Sequence, residues 1–315
     1  MNVESQPLIV IAGPTGVGKT ALAVQIGHEL EAEVVSADSR QIYRYMDIGT
    51  AKPTPTERAA IPHHLIDIVD PDQTLTMAEY QRLANAAIRD IHARGKLPLF
   101  VGGTGQYITA VIEGWSAPEV PPNPQLRAEL ETYAADYGAL ALFERLRQLD
   151  PVSAERMDPL NVRRTVRALE VCIVTGRPFS EQRSKNPPSY QVLQLGLTLD
   201  RAALYERLDR RIDAMMDAGL LQEVRNLHAQ GYDWSLPSMS GLGYAQLGRH
   251  LRGEWDLAEA VSAIKADTRT FVRRQYTWFR KYTQLQWLEL PEASEVLSLI
   301  REWLARLTKQ HDQEK

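Results

Sequence analysis

Cysteine is nearly missing from this sequence: one residue, Cys172, in 315. A single thiol excludes an internal disulfide framework and any zinc site built on cysteine pairs, and it suits a reducing compartment. Long apolar runs are missing too; none approaches the ~20 residues that span a bilayer, so no membrane partner is expected. Residues 1–7 have no basic start followed by an apolar stretch, so no secretory leader is expected and the chain reads as cytosolic. Nor is there a large excess of either charge. The formal net charge of −4 argues weakly against a protein coated in nucleic acid, although local distribution matters more than the total. What remains, 44% apolar and 24% charged residues, is the composition of a globular protein with one large or two modest domains and a well-buried core.

The chain is organised around Gly13-Pro14-Thr15-Gly16-Val17-Gly18-Lys19-Thr20, which fits the phosphate-loop pattern G-x-x-x-x-G-K-[ST] at every fixed position. The run Leu8–Ala12 before it reads as a buried strand. Leu22, Ile26 and Leu30 after it recur at helical spacing. Gly13, Gly16 and Gly18 let successive backbone N–H groups turn toward one anion-sized hollow. The helix dipole and Lys19 add positive charge there, and Thr20 offers a hydroxyl to a magnesium ion.

Binding a phosphate does not fix a chemistry. A nucleotide hydrolase or kinase carries a carboxylate at the end of a second apolar strand. Here Leu97–Val101 runs instead into Gly102-Gly103-Thr104-Gly105 with no acid, and Asp67 and Asp70 are weak substitutes. A further strand, Val34–Ala37, ends at Asp38. In an open parallel sheet, ligands sit at the carboxyl ends of strands, so Asp38, Ser39 and Thr104 share the rim of the phosphate loop. On spacing alone Asp38 serves equally well as a helix N-cap or as a reacting group. The glycines around Thr104 suit either a bare turn or close approach of a ligand. The segment from Thr50 to His64 reads as a long irregular connection; adjacent rings at His63 and His64 face different ways, with no third metal ligand near.

Residues 76–94 read as an amphipathic helix. Prolines 118, 121, 122 and 124 then break the pattern, 125–183 reads as several helices, and Lys185-Asn186-Pro187-Pro188 closes the segment before a strand at Gln194–Leu197. The division expected is a core of 1–117 and 191–315 with an inserted helical domain, 118–190. Arg163 and Arg167 share a helix face by their spacing. In the helix near 262–282, Arg269, Arg273, Tyr276 and Arg280 form one stripe, with Arg274 beside it. Phe271, Trp278 and Tyr282 fall opposite, where core packing is expected. Basic residues beside a tyrosine are what RNA phosphates and a stacked base would use, and also what a solvated helix face looks like. Residues 309–315 read as a polar, frayed tail.

The phosphate loop, Ser36–Tyr43, Asp47–Pro53, Gly102–Tyr107, Gly241–Tyr244 and Arg273–Arg280 together resemble the tRNA dimethylallyltransferase family over nearly the whole chain up to about residue 290. The phosphate loop is common to many families; the Asp38 and Arg273–Arg280 blocks are specific to this one. The resemblance implies an α/β fold with a P-loop NTPase-like parallel sheet, flanked by helices and carrying a helical insertion that clasps tRNA. It implies transfer of a dimethylallyl group from dimethylallyl diphosphate to the adenine 3′ of the anticodon, with Mg2+ as cofactor, acting as a monomer on the tRNA anticodon stem-loop. Gly13, Thr15, Gly16, Gly18, Lys19, Thr20 and Arg211 would hold the diphosphate. Asp38 and Thr104 would serve the chemistry. Asp38, Ser39, Arg40, Gln41, Thr104, Arg127, Arg163, Arg164, Arg167, Arg269, Arg273, Arg274, Tyr276 and Arg280 would meet the tRNA. Alkyl transfer needs no activated water, which accounts for the absent strand-end acid. An isopentenyltransferase acting on free adenine nucleotides, or a small-molecule kinase, are the competing readings.

Overall fold

The computed structural model describes residues 6–116, 118, 120–182, 184–188 and 190–313. Residues 1–5 and 314–315, on which parts of the leader and tail readings fall, lie outside them. The chain divides into two compact units, 1–112 with 189–315, and 113–188.

In the larger unit the strands are β1 (Gln6–Ala12), β2 (Ala32–Ala37), β3 (His63–His64) and β4 (Leu97–Gly102). The smaller unit contributes the short pair β5 (Trp115–Ser116) and β6 (Ser184–Lys185), and the larger unit resumes with β7 (Tyr190–Thr198) and β8 (Gln286–Glu289). The six long-sheet strands lie in the order β3-β2-β4-β1-β7-β8, and every pairing is parallel. The composition explains this: Leu8–Ala12 and all of β2 and β4 are buried, as strands covered on both faces must be. Register decides the site. Gly102 lies opposite Ala12 on one side and Ala37 on the other, so the next residues, Gly13, Asp38 and Gly103, leave the sheet abreast. Gly102 has to be glycine, because a Cβ there would stand 2.1 Å from the Ala37 carbonyl oxygen.

Helices α1 (Lys19–Glu29), α2 (Pro55–Ala60), α3 (Met77–Ala93) and α4 (Gly105–Glu113) belong to the first half of the fold. Thr54 with Glu57 and Thr76 with Glu79 form capping boxes at α2 and α3. The stretch from Thr50 to His64 is thus less irregular than expected: Pro55 at a helix start and the β3 pairing give it structure. After β7 come α9 (Arg201–Asp217), α10 (Leu220–Ala229), α11 (Tyr244–Leu251), α12 (Leu257–Phe279) and α13 (Ala293–Gln313). Helix α13 carries order through the expected frayed tail as far as residue 313. One core cluster joins β1, β4 and β7 to α1, α9 and α13; a second joins the opposite sheet face to α3 and α4.

The smaller unit contains α5 (Pro124–Tyr137), α6 (Ala139–Leu149), α7 (Pro151–Ala154) and α8 (Val162–Thr175), packed through Leu130, Leu142, Leu146, Val166 and Leu169. Fully buried Glu170 ties α5 to α8: it accepts from the Asn123 backbone N–H at 2.7 Å, from Arg127 Nε at 2.8 Å and from Arg167 Nη1 at 2.5 Å. Cys172 is buried in this core, and burial pushes its thiol up, as befits an inert position.

At the amino end of the sheet, buried Glu33 accepts from Arg94 and His64. The Arg94 hydrogen bond is the main reason its carboxyl is held down at about 2, below its ordinary 4.5. A depressed carboxyl stabilises the fold above its unfolded value and loses that contribution as pH falls through the folded one, on the order of 3 kcal/mol here. The melting temperature should therefore drop steeply between about pH 4.5 and pH 2. Glu33→Gln should lower it at neutral pH and flatten that acid limb. Differential scanning calorimetry across pH checks this, and an unchanged limb in the variant would remove Glu33 from the account.

Candidate active site

The phosphate loop curls because Gly13, Gly16 and Gly18 all have positive φ (141°, 87° and 99°), and Gly13 presses against β7, where a Cβ would meet the Leu197 carbonyl oxygen at 2.5 Å. Lys19, the first residue of α1, arches back and donates to the carbonyls of Gly13 (2.9 Å) and Pro14 (2.7 Å). Burial pulls its ammonium down to about 8; the charge of Asp38 opposes this and Arg211 adds to it. Arg211, on α9, is pulled down by burial and then by Arg207, one turn earlier. Lys19, Arg207 and Arg211 outnumber the two carboxylates of the hollow, Asp38 and Glu57, and a polyanion entering it relieves both the desolvation and the repulsion.

No helix starts at the end of β2, and the next one, α2, is capped by Thr54, so Asp38 caps none. Its Oδ1 accepts from the backbone N–H groups of Arg40 (2.8 Å) and Gln41 (3.4 Å), an Asx-type turn that aims the carboxylate across the rim. Among the described residues its Oδ2 takes no hydrogen bond. The Thr104 hydroxyl accepts from Ser39 N–H at 3.0 Å, and the Thr104 N–H donates to the Ala37 carbonyl at 3.1 Å, so the two loops brace each other.

A third segment closes the site from above. Glu223 accepts from three consecutive backbone N–H groups, Asp47 (2.9 Å), Ile48 (2.7 Å) and Gly49 (3.0 Å), and from the Tyr244 hydroxyl at 2.6 Å. Buried Lys52 donates to Tyr43 O (2.6 Å), Asp47 Oδ1 (2.7 Å) and Asp67 Oδ1 (2.5 Å). Gln41 points inward, with its amide on the Ala51 carbonyl. These contacts hold Thr50 and Ala51 between two cavities, of about 530 and 420 Å³. Thr15, Lys19, Asp38, Thr50, Ala51 and Arg211 wall both. The larger continues past Leu208, Ile212 and Leu220 to Arg274; the smaller carries Gly16, Gly18, Thr20 and Arg207. Asp67 and Asp70 line neither, being paired with Lys52 and Arg58 and with Arg44.

The expected RNA contacts are scattered more widely. Arg273 and Arg280 are exposed, and neither makes an ion pair among the described residues; Arg274 opens on the larger cavity. Arg269 instead pairs with Asp209. Tyr276 turns inward, its hydroxyl 2.9 Å from Thr198 Oγ1 and its ring beside Trp287. Phe271, expected on the packed side, is 40% exposed, because the buried stripe of α12 runs Ile264, Thr268, Val272, Gln275 and Phe279. Arg40 donates to the carbonyl of Pro237 at 2.7 Å. Ser39 lines the larger cavity. In the helical unit Arg163 and Arg164 are exposed, whereas Arg127 and Arg167 are engaged by Glu170.

Arg207 and Gln275 stand in stretches marked by the resemblance, but neither they nor Glu223 were expected as site residues. Arg207 was signalled by its four-residue spacing from Arg211, and Gln275 by being a long polar residue on the buried stripe of α12. Nothing local marks Glu223.

Comparison with known proteins follows the same outline. The family model described as IPP transferase matches residues 41–282, and that for isopentenyl transferase matches residues 6–70. A tRNA dimethylallyltransferase of Roseiflexus sp. (strain RS-1) is 54% identical over 95% of this chain and 99% of its own length. One from Chloroflexus aurantiacus is 54% identical over 89% and 95%. Among solved structures, the full-length tRNA isopentenylpyrophosphate transferase of Bacillus halodurans superimposes with a TM-score of 0.73 at 38% identity, covering 98% of this chain and 99% of that one. A eukaryotic dimethylallyltransferase acting on tRNA gives 0.77 at 28% identity, covering 92% and 75%. With a family model spanning most of its length and relatives above half identity, this chain belongs to the IPP transferase family, whose members here are named tRNA dimethylallyltransferases.

Proposed function

We propose that this protein transfers a dimethylallyl group from dimethylallyl diphosphate to the exocyclic amine of the adenine 3′ of the anticodon in tRNA. The observation that carries the reading is the position of Asp38, on the wall shared by a cation-lined hollow and a larger open cavity. The diphosphate lies against the phosphate loop, with Lys19, Arg207 and Arg211 around it. The adenine enters the larger cavity from its stack, at a cost of a few kcal/mol that is least in a single-stranded loop. The amine nitrogen attacks the allylic carbon as the carbon–oxygen bond breaks, and the electron pair of that bond leaves with the diphosphate. The cations and loop N–H groups neutralise the charge that develops there. Asp38 accepts the amine hydrogen and aligns the nitrogen lone pair; Thr104 holds the turn that carries Asp38.

Magnesium belongs to this reading. Among the described residues no cluster of three or more His, Cys, Asp or Glu is arranged to hold a metal. Magnesium, however, takes most of its six oxygens from water and substrate phosphates. Thr20, in the first turn of α1 and lining the smaller cavity with Asp38, supplies the hydroxyl such an ion needs. When bound, the ion offsets negative charge on the leaving diphosphate. A phosphoryl-transfer reading lacks support, since the acids available to it are spent in ion pairs away from the loop. The reading is tested by mass spectrometry of tRNA nucleosides after incubation with the protein and dimethylallyl diphosphate. Label in free AMP but not in tRNA would overturn it.

Asp38→Asn keeps the shape and the turn-forming oxygen but gives up the charge and the proton acceptor. Single-turnover transfer to an anticodon stem-loop should fall roughly 10²–10⁴-fold with the melting temperature unchanged. A folded variant that transfers at the normal rate would exclude a chemical role for Asp38.

Arg273→Ala and Arg280→Ala should each weaken stem-loop binding and reduce the dependence of log K on log salt by about one unit, the signature of one lost phosphate contact. Arg269→Ala should instead lower the melting temperature, because it strands Asp209. Titrations at several salt concentrations separate the two behaviours, and slopes equal to the parent protein would leave Arg273 and Arg280 as a solvated face.

A further inference from the structure

One side chain in the larger unit joins three segments that the reaction needs in register, and the mechanism above gives it no part. Gln275 is buried on the packed stripe of α12, 7% exposed. Its Oε1 accepts from the backbone N–H of Thr15, in the phosphate loop, at 2.9 Å. Its Nε2 donates to the carbonyl of Gly103 at 2.9 Å, one residue before Thr104. Its immediate neighbour Arg274 opens on the larger cavity. The fit is close: a Cβ at Gly103 would lie 2.5 Å from Gln275 Nε2.

An apolar residue would serve packing better at this depth, since a buried amide is tolerated only when its donor and acceptor are satisfied. Glutamine meets that condition here by making one bond to each of two loops that β1 and β4 deliver side by side. The bond to Thr15 ties the early part of the phosphate loop directly to α12. A displacement of about 1 Å between reacting groups can cost on the order of 10²-fold in rate. No other side chain among the described residues hydrogen-bonds to the backbone of both loops.

We infer that Gln275 is a positioning residue that locks the diphosphate loop and the Thr104 loop to the helix bearing Arg273, Arg274 and Arg280, so that RNA on α12 and diphosphate on the loop favour each other's binding. The inference rests on the transfer reading above for its substrates. Its physical content is a coupling between an RNA-facing helix and an anion site through a single amide.

The test uses the full-length protein with Gln275→Met, which keeps length and packing and removes both hydrogen bonds, and with Gln275→Glu, which keeps the acceptor for Thr15 but sets an oxygen against the Gly103 carbonyl. Three quantities are read: single-turnover transfer, affinity for the anticodon stem-loop, and affinity for inorganic diphosphate with magnesium, by calorimetry with and without stem-loop. For the parent protein the stem-loop should tighten diphosphate binding roughly 5- to 150-fold, the usual span of site-to-site coupling. In both variants that ratio should fall toward one and transfer should drop about 10–100-fold, while stem-loop affinity stays within about twofold. A residue that only fills space would leave the ratio intact. Should Gln275→Met fail to fold, Gly103→Ala decides, because its methyl displaces the flexible end of Gln275 and spares the backbone; the same loss of coupling is expected. A folded variant with the parent's transfer rate, or with its coupling ratio intact, overturns the inference, as does a parent ratio of one. Absence of transfer by the parent protein would overturn the proposed reaction instead, while the binding ratio would still decide the role of Gln275.

Discussion

The site depends on a row of backbone hydrogen bonds. Ala12, Gly102 and Ala37 lie side by side across β1, β4 and β2, so the three chains that leave the sheet there do so at the same height. The phosphate loop, the Thr104 loop and the Asp38 turn are consequences of that register. Parallel pairing makes it possible, because it brings three strand ends of one polarity to one edge. A one-residue slip of any strand would turn its side chains to the other face and pull its loop out of line. The absence of a side chain at Gly102 permits the approach of Ala37, so the sequence defends this row at its tightest point.

Above that row the electrostatics are uneven by construction. Lys19 and Arg211 lie partly buried beside the exposed Arg207, and Asp38 and Glu57 are the carboxylates that line the same hollow. Burial is what lowers the Lys19 ammonium, with Asp38 opposing the shift and Arg211 adding to it. Other carboxylates that would offset these cations are engaged elsewhere: Asp47 and Asp67 by Lys52, Asp209 by Arg269, Glu223 by three backbone N–H groups. The pairing of those acids with other partners leaves the hollow attractive to an anion and keeps Asp38 the reachable acid on the shared wall. Arginines on the helical unit follow the opposite pattern, with Arg127 and Arg167 spent on Glu170 and Arg163 and Arg164 open to solvent. A stripe drawn from spacing alone therefore mixes structural cations with available ones.

The sequence by itself determined the parts of this protein whose physics is local. A glycine-spaced loop between an apolar strand and a helix needs only its own residues to be recognised, because turn geometry and strand burial are written within a dozen positions. The strand ends at Asp38 and Gly102, the amphipathic helix over 76–94 and the proline-marked segment after Trp115 were legible for the same reason, and the family's blocks gave their chemistry a name. Tertiary structure decided what depends on partners far along the chain. The turn at Asp38 is local, but its brace is distant: the Thr104 hydroxyl accepts from the Ser39 N–H across 65 positions. That Tyr276 faces inward and Phe271 outward follows from which stripe of α12 meets the sheet. Glu223 reaches the 47–49 backbone across some 175 positions, and Gln275 spans 260 to Thr15 and 172 to Gly103. Periodicity reports that a helix has a buried face, but the partners of that face are fixed only when the sheet has assembled, because the hydrogen bonds that choose them join residues with no local relation.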